Sequence, residues 1–141
     1  MSVAAYLVDT SALVRILRDP WLRARWEPQI TSGRVATCPI VELEVLHTAR
    51  SAADRRELNG LLRQAFSWVP MPDTAFDRAT EVQELMTERG THRSAGAVDL
   101  LVAAAGEVHR LTLLHYDRDF ETVADVTGQQ TTWVAAPGTV P

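Results

Sequence analysis

The chain has 141 residues, 46% of them hydrophobic and 23% charged, with a formal net charge of −4 and one cysteine. A chain of that length buries a core without covalent staples, and Cys38 alone excludes both a disulfide framework and a paired-thiolate zinc site. The acidic balance excludes nucleic-acid binding by bulk positive charge, and since all 14 basic residues are Arg, Schiff-base chemistry and a lysine phosphate loop are excluded too.

The N-terminal run MSVAAYLVDTS has no basic segment and meets an acid at Asp9, so it reads as neither signal peptide nor membrane span. With a single thiol, the expected setting is the reducing cytoplasm. Residues 4–8 are apolar and end at Asp9, as a buried strand does. Thr10 or Ser11 is placed to cap a helix through Leu13, Ile16 and Leu17. Asp19-Pro20 breaks it, and Pro20 starts another through Trp21, Leu22 and Trp26. Residues 35–38 read as a second strand, followed by helices over 39–50 and 54–65. Residues 67–69 form a short third strand. Pro72 opens a helix with Ala75, Phe76, Ala79, Val82, Leu85 and Met86 on one face, and Gly90 terminates it. A polar loop over 91–96 leads to an Ala- and Leu-rich helix over 98–109, a fourth strand over 111–115, a short helix over 118–124 and a fifth strand over 131–134.

Strands alternate with helices throughout. This predicts one α/β domain over residues 1–136, with a frayed tail over 137–141. Its architecture is three-layer α/β/α around a central parallel sheet of four to five strands. Ligands in such sheets bind off the carboxyl ends of the strands. Asp9 follows strand one directly, Asp117 follows strand four, and Asp119 lies two residues further on. Asp99 and Glu42 lie in first turns of helices, whose positive dipole ends tolerate gathered negative charge. Glu42 has Val45 and Leu46 as helical neighbours, whereas Glu44 has His47 and Thr48. Glu42 is therefore read as the functional acid and Glu44 as solvated.

Each acid alone has an ordinary role as a cap or turn former. Four of them converging on one end of one sheet would repel, unless a hard divalent cation removed the cost. Mg²⁺ or Mn²⁺ takes oxygen ligands and suits phosphodiester chemistry. Zinc fits poorly, because His47, His92, His109 and His115 show no ligand spacing and read as surface or loop residues. Trp21 and Trp26 are candidates for a hydrophobic partner groove, while Trp68 and Trp133 read as core.

The segments VDTSAL (8–13), PIVELEVL (39–46), AVDLLVAAAG (97–106) and LLHYDRDFE (113–121), in that order and spacing, resemble the PIN-domain proteins, and among them the VapC-type toxins of toxin–antitoxin pairs. The resemblance spans nearly the whole chain. It implies an endoribonuclease using Mg²⁺ or Mn²⁺, inhibited by a VapB-like antitoxin and assembled as a homodimer. The metal set it implies is Asp9, Asp99, Asp117 and Glu42: Asp9 and Asp99 correspond to the core ligands, Glu42 also to the acid that orients or deprotonates the attacking water, and Asp117 to the fourth acid, which completes the metal shell or helps bind a second ion, with Asp119 its neighbour in the same motif. Thr10 and Ser11 correspond to supporting hydroxyls, and Arg93 and Arg118 are candidate RNA phosphate contacts.

Three other classes are alternatives. A receiver-like Mg²⁺-binding module would need an acceptor Asp ending strand three and a Lys near strand five, and the chain has neither. A haloacid dehalogenase-type phosphatase would need an acid where Ser11 stands. A catalytically inactive PIN-like binding module remains the alternative, against which the retained acids argue.

Overall fold

The computed structural model of the chain describes residues 3–141. Five short strands, β1 (Tyr6–Val8), β2 (Val35–Thr37), β3 (Ser67–Trp68), β4 (Thr112–His115) and β5 (Thr131–Trp133), pair in parallel in the order β3-β2-β1-β4-β5. Tyr6 pairs with Val35 on one side and with Thr112 on the other. Leu7, Val8, Val35, Leu113 and Leu114 are fully buried. Both sheet faces are thus covered, which is why these strands read as unbroken apolar runs instead of alternating ones.

Helices α1 (Thr10–Arg18), α2 (Pro20–Thr31), α3 (Pro39–Leu46) and α4 (Ala52–Ala65) link the first three strands. Helices α5 (Ala75–Glu88) and α6 (Ala97–Val108) lead from β3 to β4, and α7 (Asp119–Thr127) leads to β5. Right-handed crossovers put the first four helices on one face and the last three on the other. Accordingly α1 packs on α2 and α3, and α5 packs on α6 and α7. The winding direction reverses between β1 and β4. Their outgoing chains therefore diverge and leave a crevice at the carboxyl end of the sheet.

Several expectations are corrected. Helix α3 ends at Leu46, because the Thr48 hydroxyl donates to Val45 O (2.7 Å) and turns the chain out of the helix. Helix α5 begins at Ala75, so its buried stripe is Ala75, Ala79, Val82 and Met86, and Phe76, one residue off that stripe, is 71% exposed. Trp68 is exposed because β3 is an edge strand. Trp26, a candidate for a partner groove, is half-buried against the core. It packs edge-on against Tyr6, and its indole N–H donates to Val134 O (2.8 Å). Trp21 on the same helix is exposed. Gly90 does stop α5, with a left-handed φ of 73° that costs glycine little. The tail folds back, with Val140 N–H donating to Tyr116 Oη at 3.0 Å.

Candidate metal centre and active site

Strand β1 delivers Asp9 to the crevice. The helix starts at Thr10, so Asp9 itself is the N-cap, and the capping role expected of Thr10 or Ser11 falls to it. Its Oδ2 accepts from Ser11 N–H (3.0 Å) and from the Ser11 hydroxyl (2.7 Å). Only 3% of Asp9 is exposed, and burial pushes its carboxyl up to about 6. The bonds from Ser11 oppose that rise and the charge of Asp99 adds to it.

Across the crevice, Asp99 sits in the first turn of α6 with Oδ2 accepting Gly96 N–H (3.3 Å). Its carboxyl is raised above the ordinary range by burial, then by the charges of Asp117, Glu44 and Asp119. Asp117 follows β4 and its Oδ1 accepts Asp119 N–H (2.9 Å), an Asx turn that starts α7. Asp119 is raised too, by burial first and by Asp117 second. Asp99, Asp117 and Asp119 each place a carboxylate oxygen within 4.8 Å of the others. Both acids of the last motif therefore bring an oxygen near Asp99.

Of the two glutamates, Glu42 is the more buried, as helical spacing predicts. Its carboxylate lies at the carboxyl end of β2, where Oε2 accepts from the Thr37 hydroxyl (3.1 Å) and Oε1 lies 3.6 Å from Arg63 Nη2. Glu44, expected to be solvated, is half-buried. It accepts from the Thr10 hydroxyl (2.5 Å) and is one of the charges raising Asp99. Thr10 lies 34 residues away on α1, beyond the reach of any local pattern. The one sequence signal was that Ile40 and Val41 also border Glu44. The Thr10 and Ser11 hydroxyl protons are both committed to carboxylates. Arg93, in the loop before α6, and Arg118, between Asp117 and Asp119, are exposed, and neither makes an ion pair among the described residues.

Sequence reasoning missed His115. Expected at the surface or in a loop, its side chain is fully buried, against Phe120 and Trp133 at centroid distances of 5.3 and 4.9 Å. The last residue of a central parallel strand is still roofed by the helix that follows it. Burial holds its imidazole below the ordinary histidine range.

Among the described residues, the clustered donors are carboxylate oxygens of Asp99, Asp117 and Asp119. Cys38 is buried, and burial pushes its thiol up, so no thiolate competes. Buried and mutually repelling carboxylates without imidazole or thiolate ligands fit a hard divalent ion of the Mg²⁺ or Mn²⁺ kind.

Fold and site together define a doubly wound α/β protein with a carboxylate metal centre where the winding reverses. The PIN domain family model matches residues 6–126, and the chain belongs to that family. It is similar to Ribonuclease VapC21 of Mycobacterium tuberculosis, 45% identical over 134 residues that cover 95% of this chain and 96% of the relative. Ribonuclease VapC51 of the same organism is 40% identical, covering 96% of each. Among solved structures, the fold is similar to that of DNA-bound VapBC from Salmonella typhimurium, with TM-score 0.74, 18% identity, and coverage of 94% of this chain and 100% of that one. VapBC-1 from nontypeable Haemophilus influenzae gives TM-score 0.75 at 14% identity, covering 92% and 98%.

Proposed function

We propose that this chain is a Mg²⁺- or Mn²⁺-dependent endoribonuclease, the toxin half of a toxin–antitoxin pair. The observation that carries the reading is the meeting of Asp99, Asp117 and Asp119 beside buried Asp9. The ribonuclease names of relatives sharing up to 45% of their residues with it support the substrate. Asp9, Asp99, Asp117 and Asp119 would hold the ion. When bound, it supplies charge stabilisation at the phosphodiester and lowers the pKa of the attacking water.

The remaining roles belong to the protein. Glu42, which the resemblance assigns to the attacking water, is held by Thr37 and Arg63, and Glu44, tied to Thr10, is the second glutamate able to receive that water's proton. Arg93 and Arg118, exposed and free of ion pairs among the described residues, contact RNA phosphates and supply locally the positive charge that the whole chain lacks. In-line displacement leaves a 5′-phosphate and a 3′-hydroxyl. The antitoxin reading draws on the VapBC complexes of the same fold. A groove of about 370 Å³, lined by Ile16, Leu17, Ile30, Leu61 and Phe66 among others, is the place we assign to antitoxin side chains. A homodimer would cover Leu43 and Phe76, the most exposed large apolar residues of α3 and α5.

The test is cleavage of total RNA by purified protein with and without Mn²⁺. Wild type cuts only with the ion, leaving 5′-phosphate ends, and Asp9→Asn and Asp99→Asn fold but do not cut. Undiminished cleavage by Asp99→Asn in a preparation free of contaminating nuclease would refute the site.

A further inference from the structure

We propose that His115 is a positioning residue for the metal centre: its Nδ1 accepts the backbone N–H of Asp117 (3.2 Å) and so fixes where the Asp117 carboxylate points. This rests on the carboxylate reading of the site given above.

The argument begins with the chain leaving β4. A strand end at a crevice has backbone donors with no neighbouring strand to receive them. Here side chains take over in succession. Ser11 Oγ accepts Tyr116 N–H (2.9 Å), His115 Nδ1 accepts Asp117 N–H, and Asp117 Oδ1 accepts Asp119 N–H (2.9 Å). The first and third acceptors touch or belong to the acids themselves, since Ser11 also donates to Asp9. His115 supplies the middle link, at Asp117, the first cluster carboxylate after β4.

An acceptor at Nδ1 places the imidazole proton on Nε2. That nitrogen is buried and has no hydrogen-bond partner among the described residues. A buried unsatisfied donor is a cost that phenylalanine or leucine at this position would avoid. The surroundings, Phe120 and Trp133, would receive an aromatic hydrocarbon readily. Packing alone therefore argues against histidine here. What histidine adds is a single acceptor for the backbone N–H of Asp117, the residue whose carboxylate meets Asp99 and Asp119. Groups that orient ligating carboxylates act in this way on metal affinity, commonly by about 10- to 100-fold.

The experiment uses the whole protein and two substitutions. His115→Phe keeps the ring and removes the acceptor, and His115→Asn restores an acceptor at the position of Nδ1. Mn²⁺ affinity is read by calorimetry, Asp117 amide protection by hydrogen exchange, and folding by thermal melt. Wild type and His115→Asn are expected to bind Mn²⁺ with affinities within a few fold, while His115→Phe binds about 10-fold or more weakly, loses protection at Asp117, and melts no lower than His115→Asn. Unchanged Mn²⁺ affinity in His115→Phe, with wild type binding, overturns the positioning role and leaves the carboxylate site standing. Equal loss in both variants together with a lowered melt assigns His115 to packing and overturns it as well. Absence of Mn²⁺ binding to wild type overturns the site reading and this inference with it.

Discussion

The Ser11 hydroxyl donates to Asp9 Oδ2 at 2.7 Å while its oxygen accepts the backbone N–H of Tyr116. One small side chain thus ties the acid at the end of β1 to the loop that carries Asp117. Ser11→Ala removes both bonds and leaves the Tyr116 amide without its acceptor. It is expected to cost about 1–3 kcal/mol in urea denaturation. It also removes a bond that opposes the rise of the Asp9 carboxyl, so the midpoint for Mn²⁺ binding moves to higher pH. Ser11→Thr keeps both partners and serves as the control.

Burial lifts Asp9 from its ordinary 3.8 to about 6. The folded state therefore holds this proton more tightly than the unfolded chain. The stability linked to it is complete below 3.8 and is lost as pH rises through 6. At about 1.4 kcal/mol per unit, the ionised carboxylate destabilises the metal-free protein by about 3 kcal/mol at neutral pH. Asp9→Asn is expected to raise the metal-free melting temperature at pH 7, with the gain disappearing by about pH 4. A lower melt at pH 7 would show that the carboxylate is not under strain.

Divalent ions should stabilise the wild type in proportion to how well the acids gather. At 100-fold excess over its dissociation constant, an ion that binds only the folded chain adds about 2.7 kcal/mol. Mn²⁺ and Mg²⁺ are expected to raise the melt, and EDTA to reverse it. Asp99→Asn, Asp117→Asn and Asp119→Asn should each blunt the shift, since all three place an oxygen in the cluster. Because Asp9, Asp99 and Asp119 are all raised, protons compete with the ion, and the stabilisation should fade on acidification towards pH 6 and below.

Glu42 and Glu44 can be told apart. Glu44→Gln keeps an acceptor for Thr10 but removes one charge that raises Asp99, so Mn²⁺ binding should extend to lower pH. Glu42→Gln leaves Asp99 untouched and unpairs Arg63, so its binding profile should follow wild type. Single-turnover cleavage by the two variants then reports which glutamate receives the proton.

Arg93→Ala and Arg118→Ala are expected to raise KM for RNA while leaving kcat within a few fold, because both side chains are exposed and neither touches the carboxylates in hydrogen bonds or ion pairs. Each should lower the slope of log affinity against log salt by about 0.7. A fall in kcat at unchanged KM would place the arginine at the reacting phosphate.

The alternation of apolar strands with helices, the lone cysteine and the absence of lysine settled the class of fold and narrowed the chemistry, because these depend on composition and on periods of a few residues. Asp9 after β1 and Asp117 after β4 were legible for the same reason, as strand ends are marked locally. What only the tertiary structure decided came from residues far apart in the chain. Glu44 meets Thr10 because α3 packs on α1, and Glu42 turns to Arg63 because α4 lies against α3. Trp68 is bare because its strand lies at the sheet edge, and His115 is buried because a helix and a neighbouring strand close over the end of β4. A helical or strand period reports which side of its own element a residue occupies. Which other element lies on that side, and with what charge, is set by the winding of the sheet.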